Sequence, residues 1–252
     1  MTDRARLQSA IQAIGRNPVR VDQLTCGVCA TPCAPYRLCG TCRSHRSTWG
    51  SQLADRVVPL TYAIRGRQSY TDARAYKDKM LPLEQNVSLY RLSIHAYFFN
   101  VLHVRCLNKV AAGPATGLVV VPSLSGRAGP HPLDRIAEFL PVEWERIRAA
   151  PGSDVPSEVN LRRVVNPEFY SLEKKPAVTG EHIVVFEDTW TSGGHAQGMA
   201  VKLKQLGASE VSIVVLNRDI SPDFGENGPF LKVHASNPYD TNICPVTGCA
   251  CP

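Results

Sequence analysis

Nowhere in these 252 residues does an apolar run approach the ~20 residues that span a bilayer, which excludes a membrane-spanning helix. There is no apolar leader either: the stretch from Met1 to Arg20 is too charged for a secretory signal, so a cytoplasmic protein is expected. Strong charge of one sign is also missing. A net charge of +6 suits a phosphate-rich ligand and is compatible with nucleic acid, but singles out neither. What is left is the composition of a mixed α/β protein, long enough for one sizeable core and a small appendage.

The most informative stretch is His182 to Ser209, HIVVFEDTWTSGGHAQGMAVKLKQLGAS. An apolar run, Ile183 to Phe186, predicts a strand, and Glu187 through Gly194 predict a polar, glycine-containing loop after it. Ala196, Met199, Ala200, Leu203 and Leu206 then recur at helical spacing, with Gly207 as a stop. A second β-branched run, Val211 to Leu216, completes strand, loop, helix, strand. Such a crossover joins parallel neighbours and puts the loop at the carboxyl end of a strand, where open α/β sheets bind ligands.

The loop's chemistry narrows the ligand. Thr191, Ser192, Gly193 and Gly194 bring hydroxyls and accessible amides to a helix N-terminus, an environment that favours phosphate. Glu187 and Asp188 would repel that phosphate unless they hold something beside it, either sugar hydroxyls or a magnesium ion. A phosphorylated sugar meets both requirements. Apolar strand, two acids, two residues, then Thr-Ser-Gly resembles the phosphoribosyl diphosphate (PRPP) loop of type I phosphoribosyltransferases. The resemblance implies that Glu187 and Asp188 grip the ribose hydroxyls and that Thr191, Ser192, Gly193, Gly194 and His195 hold the 5′-phosphate. Glu187 replaces the family's commoner Asp, and His195 replaces a hydroxyl residue.

Nearer the start, Leu7, Ile11 and Ile14 give residues 5 to 15 a helical stripe. Two Cys-x-x-Cys knuckles follow, Cys26 with Cys29 and Cys39 with Cys42, which together offer the four soft donors of a closed, structural zinc site. Cys33 is surplus and able to replace one of the four. Arg37, Arg43, His45 and Arg46, with Tyr36 and Trp49, give this zinc ribbon a single-stranded nucleic acid as an alternative partner, although capping an adjoining domain is the commoner role of such a module.

Residues 51 to 110 read as largely helical, ending in an apolar helix over Leu89 to Leu107. Lys77, in Ala-Tyr-Lys-Asp, is the one basic residue of this segment that stands out, although a solvated helix-face lysine is the commoner account of such a position. Ribbon, helical segment with Tyr-Lys, and PRPP loop together resemble the ComF-type phosphoribosyltransferase-like family. That resemblance implies a type I phosphoribosyltransferase-like fold: a parallel sheet flanked by helices, with an N-terminal zinc ribbon. A short strand, Gly117 to Val121, leads to small polar residues suited to a diphosphate, and by position Ser123, Ser125, Gly126 and Arg127 correspond to the family's pyrophosphate loop. The family's downstream Arg-Gly-Phe-Asn-Gln is replaced by Gly129 to Leu133.

Residues 131 to 150 read as two helices, and 151 to 180 as a long connection able to close over a ligand, with Arg162, Arg163, Lys174 and Lys175 in it. The C-terminal tail carries Cys244, Cys249 and Cys251, one donor short of a second metal site that Cys33 or a histidine such as His234 would complete; three free thiols are the other reading. Cys106 reads as a core residue. The expected organisation is a helix and ribbon over 1–50, a helical connection over 51–110, a phosphoribosyltransferase-like core over 111–220 and a cysteine-containing tail over 221–252. The resemblance implies transfer of a phosphoribosyl group from magnesium-bound PRPP to a nitrogen nucleophile, with no residue declaring itself as general base. The alternative is a protein of this fold that binds PRPP or a nucleotide, or handles DNA, without catalysis.

Overall fold

The computed structural model describes residues 3–78, 85–124, 131–158, 164–173 and 178–252. Its centre is a five-stranded sheet in which every pairing is parallel. The strands are β1 (Arg56–Ile64), β2 (Gly117–Val120), β3 (Glu145–Ile147), β6 (His182–Trp190) and β7 (Glu210–Ile220), in the spatial order β1-β7-β6-β2-β3. A small antiparallel pair, β4 (Ala149–Pro151) with β5 (Tyr170–Leu172), stands apart.

Alternation along β6 and β7 sorts the core into two layers, as the period of two in a strand requires. Ile183, Val185, Val211, Ile213 and Val215 face α6 (Gly194–Gln205), meeting Met199, Ala200 and Leu203. Val184, Phe186, Val214 and Leu216 face α4 (Val87–Val110) and α5 (Pro132–Ala137), meeting Leu92, Phe99, Leu133 and Ile136. Helix α6 stops in a Schellman motif: Gly207, at φ +95°, donates to Lys204 O, and the Ala208 amide donates to Leu203 O at 3.1 Å. This is the expected parallel sheet between helices.

Four local expectations are corrected. Residues 56–64 are a strand, not helix; their continuous burial from Val57 to Ile64, with Thr61 the one polar residue in that run, is that of a strand covered on both faces, and Pro59 is tolerated because β1 lies at the edge of the sheet. Since β1 pairs with β7, the sheet draws on residues on both sides of position 110. Residues 141–150 form a turn, β3 and the start of β4 instead of a helix, because Glu145 donates to Thr116 O and so joins the sheet beside β2. The connection after 151 contains a 3-10 turn, Pro167–Phe169, and β5; Arg162, Arg163, Lys174 and Lys175 lie outside the described residues. Finally, β6 runs through both acids to Trp190, where a loop was expected from Glu187 onward.

The other helices are α1 (Asp3–Ile14), α2 (Gly40–Trp49), α3 (Gln68–Ala75) and α7 (Asn227–His234). Among the described residues no helix is long and apolar enough to cross a membrane. Phe99 is fully buried in the layer between α4 and the sheet. Its replacement by Ala is expected to cost about 3–5 kcal/mol, read as a lowered urea midpoint with zinc held in excess; a change under ~1 kcal/mol would contradict this packing.

Candidate functional site

Helices α5 and α6 lie on opposite faces because the β2-α5-β3 and β6-α6-β7 crossovers run in opposite directions from the centre of the sheet. The reversal falls between β2 and β6, and the crevice outside the carboxyl ends of strands at such a point is where open α/β sheets take ligands. The two strand ends are adjacent: Val120 pairs with Phe186, and the Val121 amide donates to Phe186 O at 3.0 Å. Glu187 and Asp188 follow at once on β6, and Ser123 follows on β2.

Both acids are buried, at 9% and 5% exposure. Asp188 Oδ2 accepts from Tyr76 Oη at 2.5 Å and is ion-paired with the Lys77 ammonium. Burial pushes the Asp188 carboxyl up, but Lys77, together with hydrogen bonds from Glu187 and Tyr76, outweighs it and holds the group at about 2. Glu187 goes the other way: burial first, then the charge of Asp188 beside it, drive it well above the usual carboxylate range. Its Oε1 accepts from the Asp188 amide at 3.1 Å. The two shifts run in opposite directions, so the charged form is favoured at Asp188 and disfavoured at Glu187. Tyr170, whose buried hydroxyl has no hydrogen-bond partner among the described residues, is raised by burial and by Glu187.

Lys77 was expected to be solvated. It stands just past the end of α3, its side chain 34% exposed, and it closes on the acid pair. Tyr76, fully buried, was not foreseen as a site residue, although the Tyr-Lys dipeptide was the available signal.

Beyond the acids the chain turns at Thr191 and Ser192 into α6, capped by Gly193 at φ +80°. A Cβ there would lie 2.1 Å from the Trp190 ring, so this glycine supplies both the left-handed conformation and the room for the indole beneath it. Thr191 is exposed and donates to Asp219 Oδ2 at 3.3 Å, Asp219 is itself paired with Arg65, and Ser192 and His195 are half-buried. Arg65 and Asp219, at the ends of β1 and β7, are additional charges at this rim that the sequence did not single out. Of the candidate diphosphate residues, Ser123 borders a cavity of about 730 Å³ that also meets His131, Asp134, Arg146, Arg148 and Glu173. Ser125, Gly126 and Arg127 lie outside the described residues.

The cysteines sort into two groups. The ligand atoms of Cys26, Cys29, Cys39 and Cys42 lie within 4.8 Å of one another, as a tetrahedral zinc requires, and Cys29 Sγ and Cys39 Sγ are 3.9 Å apart. Cys33 is not in this group; its thiol donates to Tyr36 O at 3.1 Å. The expected trio in the tail is corrected: Cys244 and Cys251 join His103 and Cys106, whereas Cys249 is exposed and turned to Ala250 O. His234 is exposed on α7, its ring 5.0 Å from that of Phe230.

No family model matches the chain, and no curated protein does. Similar solved structures include a hypoxanthine phosphoribosyltransferase from Staphylococcus aureus (TM-score 0.31, 11% identity, covering 51% of this chain and 74% of that one). A hypoxanthine-guanine phosphoribosyl transferase from L. donovani gives TM-score 0.33 and 15% identity over 60% and 79% of the two chains. An orotate phosphoribosyltransferase from Mycobacterium tuberculosis gives 0.31 and 14% over 87% and 96%.

The upward shift of Glu187 has a measurable consequence. Because folding raises this carboxyl above its unfolded value of ~4.3, its contribution to stability falls as pH rises from there. Glu187→Gln removes this dependence and keeps an amide donor for Asp188. The stability difference between variant and wild type should therefore move in the variant's favour from pH ~4 upward, measured by urea denaturation across pH; a difference independent of pH would contradict a raised Glu187 carboxyl.

Proposed function

We propose that the chain is a phosphoribosyltransferase-like protein that binds PRPP at the crevice between β2 and β6 and transfers its phosphoribosyl group to a nitrogen nucleophile. The observation that carries this reading is the order of groups along one strand: two acids at the switch point, then a glycine-capped turn into the 12-residue helix α6. In this reading the amides and hydroxyls from Thr191 to His195 take the 5′-phosphate, aided by the helix dipole, and the acids take the ribose hydroxyls. The C1–O bond to diphosphate breaks as the C1–N bond forms, and the chain contributes positioning and charge stabilisation.

Magnesium would arrive on the diphosphate rather than on the acids. A hard divalent cation favours ionised oxygen donors, and here burial disfavours the charged form of Glu187 and Asp188 is shared with Lys77. Ribose hydroxyls fit the pair better, since one acid can donate while the other accepts. To reach Asp188 the sugar must take the place of Lys77 or Tyr76, and a released Lys77 ammonium would stand beside the incoming phosphates.

The same ion pair favours a second reading, binding without transfer: a carboxylate already satisfied by two internal donors is a structural arrangement as well as a poised one. Its nucleic-acid version is supported by Tyr36, which is 58% exposed with the Arg43 guanidinium 5.6 Å over its ring.

Titration calorimetry with PRPP separates these readings. Wild type with magnesium should bind, Asp188→Asn should bind at least ~10-fold more weakly, the loss of one charged hydrogen bond, and diphosphate should be released with some member of a panel of nucleobases and amines. Binding without release assigns the non-catalytic role. No binding by wild type, with salt-sensitive retention of single-stranded DNA that weakens in Arg43→Ala, assigns the nucleic-acid role.

A further inference from the structure

We propose that this chain holds a second structural zinc, ligated by His103, Cys106, Cys244 and Cys251, which fastens the C-terminal tail to α4. The four ligand atoms lie within 4.8 Å of one another. His103 Nδ1 is 3.6 Å from Cys251 Sγ and 3.9 Å from Cys106 Sγ. Donors at ~2.0–2.3 Å around a tetrahedral zinc are separated by about 3.5 to 3.8 Å along its edges, so the group already has the dimensions of a coordination shell.

Chain geometry explains how two distant segments supply it. His103 and Cys106 are three residues apart on α4 and therefore share a face. Cys244 starts a tight loop in which its amide donates to Cys249 O at 2.7 Å and its carbonyl accepts from Gly248 N at 2.8 Å. That loop brings Cys251 back to the helix and directs Cys249 outward. Three of the four ligands are buried, His103, Cys106 and Cys244 at 2%, 5% and 0% exposure, and the exposed Cys251 covers them from the solvent side. Three soft sulfur donors and an imidazole select zinc over hard divalent ions.

The tail approaches along a prepared path. Tyr239 is buried against Phe98, Asn17 exchanges hydrogen bonds with Asp240 at 2.7 and 3.0 Å, and Lys109 Nζ donates to Pro252 O at 2.8 Å. This inference does not depend on any sugar-phosphate ligand.

Metal content of the purified full chain by inductively coupled plasma mass spectrometry tests it. Wild type and Cys249→Ser should each carry two zinc ions, and Cys244→Ser and Cys251→Ser one. Should those variants fold poorly, cobalt reconstitution of wild type reads the same question, because two sites give charge-transfer bands for seven thiolate donors and one site gives them for four. One zinc per wild-type chain, or an unchanged count in a soluble Cys244→Ser, would overturn the proposal.

Discussion

Two neighbouring carboxyl groups buried in the middle strand of a parallel sheet set the terms for everything around them. A second ionised acid at that depth would be unpaired, so burial and the charge of Asp188 push the Glu187 carboxyl upward while one cation, Lys77, is drawn onto Asp188. That requirement fixes where the segment after α3 must run, since Tyr76 and Lys77 both reach Asp188 from it. It also explains why Tyr76 is fully buried although it follows a polar helix. The charge pattern at the strand end thus organises the packing of the segment after α3 against β6.

The large elements were legible because their signals are local. The stripe Ala196, Met199, Ala200, Leu203 marks α6, and the paired knuckles mark the first cysteine cluster, each within a short window of sequence. What was not legible depends on partners far away in the chain. The run Val57, Val58, Leu60, Tyr62, Ile64 is apolar at both parities and becomes a strand only because β7 and the helices cover its two faces. Lys77 looked solvated because its partner lies more than a hundred residues downstream. The tail cysteines suggested a metal, but the completing ligands sit on α4, where a histidine and a cysteine in an apolar helix are indistinguishable from core residues until the tail is placed against them.

The acids also show how a strand boundary alters chemistry. Ending β6 at Phe186 would have left Glu187 and Asp188 in a solvated loop with ordinary carboxylate behaviour. Continuing it to Trp190 pairs them with β7, where Glu187 lies opposite Val215 and the Asp188 carbonyl accepts from Asn217 at 3.2 Å. The indole at the strand's end then fills the space beneath Gly193, so the turn into α6 is packed from below and its exposed side is the one bearing Thr191.

Edge protection ties the remaining parts together. Strand β1 ends the sheet, and an uncovered edge invites pairing with another chain. Residues 16–20 cover it: Tyr62 donates to Arg16 O at 2.9 Å, Arg16 N donates to Thr61 Oγ1 at 2.8 Å, and Arg20 donates to Val57 O at 2.5 Å. Arg20 also donates to Gly27 O in the ribbon at 3.2 Å, while its stem packs where a Cβ on Gly248 would be, 2.5 Å away. One arginine therefore links the edge strand, the first cysteine cluster and the loop that carries Cys244. Burial holds its guanidinium below the usual range, partly offset by Tyr62 and by cysteines of both clusters. With zinc at both sites those clusters carry net negative charge, and Arg20 is the counter-ion placed between them. The ribbon and the tail then meet at this one arginine, beside the amino end of β1.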